Sequence, residues 1–335
     1  MIYIRTDMNE VIATGHVMRC LSIADAAKTL GEETTFILAD EQAVELIKER
    51  EHHYIVLHTK WDDMESELST MKRVIAQNNV KKLLIDSYQV TKDYLMELTN
   101  YVKTIYLDDL DAFLYPVNEI ICYANYWEKF QYEERYTDVK FYLGTQYMPL
   151  RQAFWEGSSK VINERVENLL ILSGGSDPYD VTGRILAQIP LANYRKIHVI
   201  CGAYNTRYES LCGQYVEHKN VYIHRAVSNI DCYMKEADVA ISAGGTTLYE
   251  LCACGTPTIS YSFVDNQLDN VHKFVEDDMI FYAGDAREGD VAEAICNYLD
   301  RYGNDRKLRQ ERSKRMRRLV DGKGALRLAE AIRRN

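Results

Sequence analysis

Long apolar runs are missing from this 335-residue chain, so nothing in it is suited to span a bilayer as a helix of about 18 or more residues. No secretory leader is read at its start, because Met1-Ile2-Tyr3-Ile4-Arg5 runs straight into a strand-like segment, and a cytoplasmic location is expected. The eight cysteines (Cys20, Cys122, Cys201, Cys212, Cys232, Cys252, Cys254 and Cys296) include no C-x-x-C pair and no histidine partner at ligand spacing. Buried thiols are therefore expected rather than zinc or redox chemistry. Low-complexity segments and short-period repeats are also absent, which excludes solenoids. An excess of positive charge is lacking too: 40 Lys and Arg stand against 50 Asp and Glu, for a net charge of −10. Nucleic acid is a poor partner for such a chain. The basic residues gather instead in 301–335, with 13 Lys and Arg against 4 Asp and Glu. That segment reads as a terminal helix that packs through Leu308, Met316 and Leu319 and keeps its charges solvated.

What is present is a 47% hydrophobic composition over a length that suggests two domains. Apolar, β-branched runs alternate with amphipathic stretches, the pattern of parallel α/β sheets. Strands are predicted at 2–5, 35–38, 54–57, 82–85, 104–107 and 119–122, with helices at 16–30, 41–50, 65–77 and 92–101. After an irregular stretch the alternation restarts, with strands at 169–172, 196–201, 221–224, 239–242, 258–260 and 280–282. The reading is of two doubly wound, Rossmann-like domains, 1–150 and 160–300, facing across a cleft, followed by a basic helical segment 301–335.

Ligands of such sheets bind at the carboxyl ends of strands. Four polar or glycine-bearing loops lie there: Thr6 to His16, Ser173-Gly174-Gly175-Ser176-Asp177, Ser242-Ala243-Gly244-Gly245-Thr246-Thr247, and Asp265-Asn266-Gln267. Gly244-Gly245 before a helix suits a diphosphate, since backbone N–H groups and the helix dipole attract an anion. A tight turn that needs positive φ explains the same residues. Glu250 reads either as a capping-box acid or as an acceptor for ribose hydroxyls. His16 follows Gly15 at a helix start, where the dipole disfavours imidazolium, so it is a candidate general base; a surface or capping histidine is the plainer alternative. Asp109-Leu110-Asp111 has the form of a D-x-D metal motif, but it lacks supporting ligands and no metal is expected.

The strings Ile4-Arg5-Thr6-Asp7 and Gly15-His16-Val17-Met18-Arg19-Cys20 resemble the N-terminal signature of the hydrolases that remove UDP from UDP-2,4-diacetamido-2,4,6-trideoxy-β-L-altropyranose in pseudaminic acid biosynthesis. Ile85-Asp86-Ser87-Tyr88, Tyr147 to Phe154, Leu172 to Asp177, Ser242 to Glu250 and Asn266-Gln267 extend the likeness. The last two also resemble the lipid-linked N-acetylglucosaminyl transferase of peptidoglycan synthesis. The resemblance implies a GT-B fold, a UDP-sugar substrate, water as nucleophile, no cofactor or metal, and inversion at the anomeric carbon. It implies His16 as base, with Tyr88 and Asn266 beside it as catalytic contacts. Substrate binding is expected from Asp7, Thr14, Gly15, Arg19 and Asn125, and from Gly174, Gly175, Ser176, Gly244, Gly245, Thr246, Thr247, Glu250 and Gln267. Two features depart from the pattern: Ala13 stands where a glycine is usual, and the arginine-rich end is long. An inverting glycosyltransferase, a 2-epimerase and a non-catalytic nucleotide-sugar binder are the competing functions.

Overall fold

A computed structural model of the chain describes residues 1–157 and 159–334. They divide into two compact units, Met1–Gln152 together with Gly322–Asn335, and Ala153–Asp321. In the first, strands β1 (Ile2–Thr6), β2 (Thr34–Leu38), β3 (His53–Val56), β4 (Lys82–Asp86), β5 (Lys103–Leu107), β6 (Glu119–Cys122) and β7 (Lys140–Leu143) form one parallel sheet. Helices α1 (Gly15–Thr29), α2 (Val44–Glu49), α3 (Met64–Gln77), α4 (Lys92–Thr99) and α5 (Tyr132–Arg135) connect it. The central strands IYIRT and TTFIL are buried throughout, as strands with both faces covered must be. Strand β7 was not among the expected strands. Its four residues KFYL lie at the sheet edge with only Tyr142 buried, so they carry little periodic signal.

The second unit holds strands β8 (Asn168–Leu172), β9 (Lys196–Cys201), β10 (Val221–Arg225), β11 (Val239–Ala243), β12 (Thr258–Ser262) and β13 (Ile280–Asp285), again all parallel. Its helices are α6 (Val181–Gln188), α7 (Tyr208–Tyr215), α8 (Ile230–Glu236), α9 (Thr247–Cys254), α10 (Leu268–Glu276), α11 (Ala292–Asn304) and α12 (Arg306–Leu319). The last helix, α13 (Gly324–Arg334), belongs to the first unit and packs on α1.

The sheet orders are β3-β2-β1-β4-β5-β6-β7 and β10-β9-β8-β11-β12-β13. In each, successive connections run one way from a central strand and then reverse, so the carboxyl ends of β1 and β4, and of β8 and β11, flank a switch point where adjacent loops diverge and leave a crevice. His16 and Asp86 stand at the first, and the two Gly-Gly loops at the second.

Residues 301–335 are not one solvated segment. Helix α12 stays with the second unit, where Arg309 is fully buried and donates to the carbonyls of Tyr302 (2.8 Å), Asn163 (2.9 Å) and Glu164 (2.8 Å). Arg312 lies 3.8 Å over the Phe281 ring and bonds Asp278 at 2.8 Å. Two arginines of the basic stretch are thus interior braces. Charge counting misses them because an arginine satisfied by carbonyls and an aromatic face has the same formal charge as a solvated one. No helix among the described residues is long and apolar enough to cross a membrane.

Candidate functional site

Strand β4 ends on Asp86, which is fully buried beside Thr6, the last residue of β1. The loop after β1 returns into α1, and its first turn brings His16 Nδ1 to 2.6 Å from Asp86 Oδ1. Arg19, one turn further, grips the same carboxylate with two bonds, Nε to Oδ2 at 2.7 Å and a terminal nitrogen to Oδ1 at 2.6 Å. Its other terminal nitrogen reaches Asp109 Oδ2 at 2.8 Å and the Tyr123 hydroxyl at 2.5 Å. Burial opposes ionisation of Asp86, but the Arg19 charge and then the His16 contact outweigh it and hold the carboxyl well below the usual carboxylate range. An ionised Asp86 can only accept, so its 2.6 Å contact, shorter than the 3.1 Å approach of an Arg19 terminal nitrogen to the same atom, assigns the proton to His16 Nδ1. Nε2 then carries the lone pair and has no hydrogen-bond partner among the described residues.

Tyr88 closes one side of the ring, edge-on with centroids 4.5 Å apart. Tyr88 is 39% exposed as a residue, but local desolvation of its phenol and then the Asp109 charge push it above the usual tyrosine range, so it stays protonated and cannot rival the imidazole as base. Thr14 and Gly15 are exposed at the mouth of α1; Thr14 makes no capping bond, and a Cβ on Gly15 would meet nothing within 4 Å. Asn125 is buried on the loop after β6, two residues beyond Tyr123. Asp7 is occupied otherwise: Oδ2 takes Arg5, and Oδ1 takes the Ala39 N–H at 2.7 Å. Arg5 in turn pairs bidentately with Glu67 at 2.8 and 2.7 Å, so Asp7 is part of a buried brace beneath the loop.

In the second unit, Gly174, Gly175 and Ser176 follow β8 as an exposed turn, and Asp177 behind them caps α6 through the N–H groups of Val181 (2.8 Å) and Thr182 (3.0 Å). A Cβ on Gly174 would lie 3.7 Å from that of Ala243, so this loop and the one after β11 are neighbours. Neither Gly244 nor Gly245 has positive φ, which removes the tight-turn explanation for the pair. Gly244 is required because a Cβ there would strike Val271, whereas one on Gly245 would meet nothing within 4 Å. The N-cap of α9 is Thr246, which makes no side-chain cap bond, so Glu250 is not the partner in a capping box. The N–H groups of Gly245, Thr246 and Thr247 find no acceptor among the described residues. Asn270, which sequence reasoning did not single out, holds this turn by donating to the carbonyls of Gly244 (2.9 Å) and Gly245 (3.3 Å). Gln267 is nearly buried and accepts from Phe263 N–H at 3.0 Å, while Asn266 is exposed. The structure therefore gathers His16, Arg19 and Tyr88 around Asp86 in one unit. Glu250, Asn266, Gln267 and the two Gly-Gly loops lie in the other.

Sequence reasoning missed Asp86, Asp109 and Tyr123 as partners of His16 and Arg19. A readable signal existed for Asp86: a carboxylate ending a buried strand at a switch point. The D-x-D acids are each taken by an arginine, Asp109 by Arg19 and Asp111 by Arg135. Among the described residues no group of three or more potential ligands could hold a metal ion.

Comparison with known proteins adds sequence kinship to this geometry. Residues 169–319 match the glycosyltransferase family 28 C-terminal domain. The spore coat polysaccharide biosynthesis protein SpsG of Bacillus subtilis is 23% identical over 326 residues, covering 95% of this chain and 93% of that protein. Protein MJ1062 of Methanocaldococcus jannaschii is 25% identical over 275 residues, 77% of this chain, and the match spans only 54% of MJ1062. Among solved structures, MurG of Acinetobacter baumannii superposes with a TM-score of 0.71 at 10% identity over all of both chains. The UDP-GlcNAc 2-epimerase of M. jannaschii, solved with UDP-GlcNAc and UDP, gives 0.61 at 12% identity over 100% of this chain and 99% of that one. The chain is thus a two-domain α/β protein of the GT-B fold, similar in sequence to SpsG over nearly its whole length and to the family 28 C-terminal domain over residues 169–319.

Proposed function

We propose that this protein hydrolyses a UDP-linked amino- or deoxy-sugar at its anomeric carbon, releasing UDP and free sugar with inversion, in the making of a surface glycan. The observation that carries the reading is the imidazole of His16, held through Nδ1 by an ionised Asp86 and left with an Nε2 that has no partner among the described residues. In the proposed step Nε2 takes a proton from water, the water oxygen bonds to the anomeric carbon, and the bond to UDP breaks with its electron pair leaving on the diphosphate. The unpaired N–H groups at the start of α9 suit that diphosphate, and Glu250 in the first turn suits the ribose hydroxyls. Kinship with SpsG and the fold shared with a UDP-GlcNAc 2-epimerase support a nucleotide-sugar substrate and a polysaccharide setting.

A glycosyltransferase with a sugar acceptor in place of water is the second reading, favoured by the family 28 match over 169–319. Incubation with candidate UDP-sugars, followed by NMR of the products, separates the two. Hydrolysis yields UDP and first the inverted free sugar without any acceptor; a requirement for an acceptor, or a retained anomer, would overturn the reading. In the same assay His16→Asn is expected to lower kcat by about 10²–10⁴ with little change in KM.

A further inference from the structure

The edge of the second sheet carries a pair of histidines that has no part in the site above. His198 of β9 lies opposite Tyr222 of β10, and His224 stands two residues further along β10, so strand alternation puts all three side chains on one face. Tyr233 of α8 meets both imidazoles with ring centroids 5.0 Å from each, and Tyr222 stacks on His198 at 5.1 Å. Between the two imidazoles, His198 Nδ1 and His224 Nε2 are 3.1 Å apart, so one of them donates a proton to the other. Both rings are half-buried; burial lowers the pKa of each, aided at His198 by its neighbour His224, and the pair is neutral near pH 7. Lys196 and Glu236, the charged groups beside His198, pair with each other at 2.6 Å and bring no net charge to it.

We propose that His198 and His224 form a binding site for a divalent transition-metal ion of the Zn²⁺ class, which bridges the edge strand β10 to β9. Two nitrogens at about 2.0–2.1 Å from one ion are about 2.9 Å apart at a right angle and about 3.4 Å apart at the tetrahedral angle. The separation of 3.1 Å falls between these values. Neutral imidazole suits such ions, whereas Mg²⁺ and Ca²⁺ seek oxygen. On binding, the donating ring passes its proton from the contact nitrogen to its far nitrogen through water, and both rings turn about χ2 until their lone pairs meet beside the line that joins them. Each ring keeps one N–H, so no proton is released, and the χ2 well of a histidine is broad enough for the turn. No group of three or more potential ligands exists among the described residues, so water or an incoming ligand completes the shell. The ion replaces one hydrogen bond by two coordinate bonds and fastens a strand that the sheet holds from one side only. The inference is independent of the hydrolase reading, since neither histidine belongs to the groups proposed for sugar release.

The test is ¹⁵N NMR of the metal-free full chain with labelled histidine, with Zn²⁺ added in steps and Mg²⁺ in a parallel series. The ring nitrogens of His198 and His224 are expected to shift together under Zn²⁺ and to stay in place under Mg²⁺. His224→Gln should abolish the shift at His198, and His198→Gln the shift at His224, because one imidazole with water holds the ion far more weakly than a pair. Glutamine keeps a hydrogen-bonding amide at the contact, and if one variant fails to fold the other decides. Cys232 is an exposed thiol that precedes Tyr233 in α8, so the series is repeated in Cys232→Ser, where the shifts should persist. Rings unmoved by Zn²⁺, a shift at one ring that survives replacement of the other, or a response lost in Cys232→Ser would each overturn the proposal.

Discussion

Ala13 is the residue where local backbone cost and site geometry meet. It sits at φ 55°, a left-handed conformation that costs an L-residue with a Cβ roughly 1–2 kcal/mol. A short bridge between Asn9 and Ala13 holds it there, two residues before Gly15 and three before His16. Glycine adopts the same φ freely but loses more freedom on folding, which returns part of the gain. Ala13→Gly is therefore expected to stabilise the protein by about 0.5–1 kcal/mol in denaturant unfolding; unchanged or lower stability would mean the strain is not borne at this residue. The departure from a resembling family was legible in the sequence as one missing glycine. Its physical meaning was not, because φ at a loop residue is set by the bridge and by the packing of α1. Asp86 was legible as the carboxylate that ends KLLID, but its pairing with the histidine was not, because it takes the register of β1 on β4 to bring the two together.

At the scale of the element, the turn into α9 contains two glycines with different duties. Gly244 lies over Val271 of α10, and Gly245 faces open space. Gly244→Ala is expected to force a clash in a closed contact and cost about 1–3 kcal/mol of stability. Gly245→Ala should leave thermal unfolding nearly unchanged and weaken UDP binding measured by calorimetry, because a methyl group would crowd the N–H groups that await an anion. Equal UDP affinity in Gly245→Ala and the wild type would remove this turn from the proposed nucleotide site. The helix itself was readable, since it stops at Gly255 in the left-handed conformation that ends helices. Long buried strands were also readable from their β-branched runs. Short half-exposed elements such as β7 were not, for four residues give too few positions for a period to show.

On the scale of the whole molecule, the first unit is assembled from both ends of the described chain. Ala325, Leu328, Ala329 and Ile332 are fully buried at helical spacing on α13 and cover α1, the helix that carries His16 and Arg19. Lys82 at the start of β4 and Arg333 add bonds to the carbonyls of Ile332 and Leu30. Removal of residues 322–335 is expected to strip amide hydrogen-exchange protection from α1 while α9 and α10 in the second unit keep theirs. Equal loss in both units, or none in α1, would contradict this account. The sequence marked 301–335 as one basic segment because charge is continuous across it; the buried positions of α12 (Arg309, Arg312, Ser313, Met316) and of α13 (Ala325, Leu328, Ala329, Ile332) share one helical spacing, but the second set is wholly apolar and follows Gly322 and Gly324, and that break was the available clue.

The return of α13 to the first unit also bears on how the chain is made. During synthesis β1 to β7 leave the ribosome first, yet the face of α1 that α13 covers stays bare until about 170 further residues have been added. Throughout that interval the nascent protein carries an open apolar seam on the helix that bears its candidate base. The second unit has time to fold before α13 arrives, so α1, the helix that carries His16 and Arg19, receives this cover only after the second unit has been made.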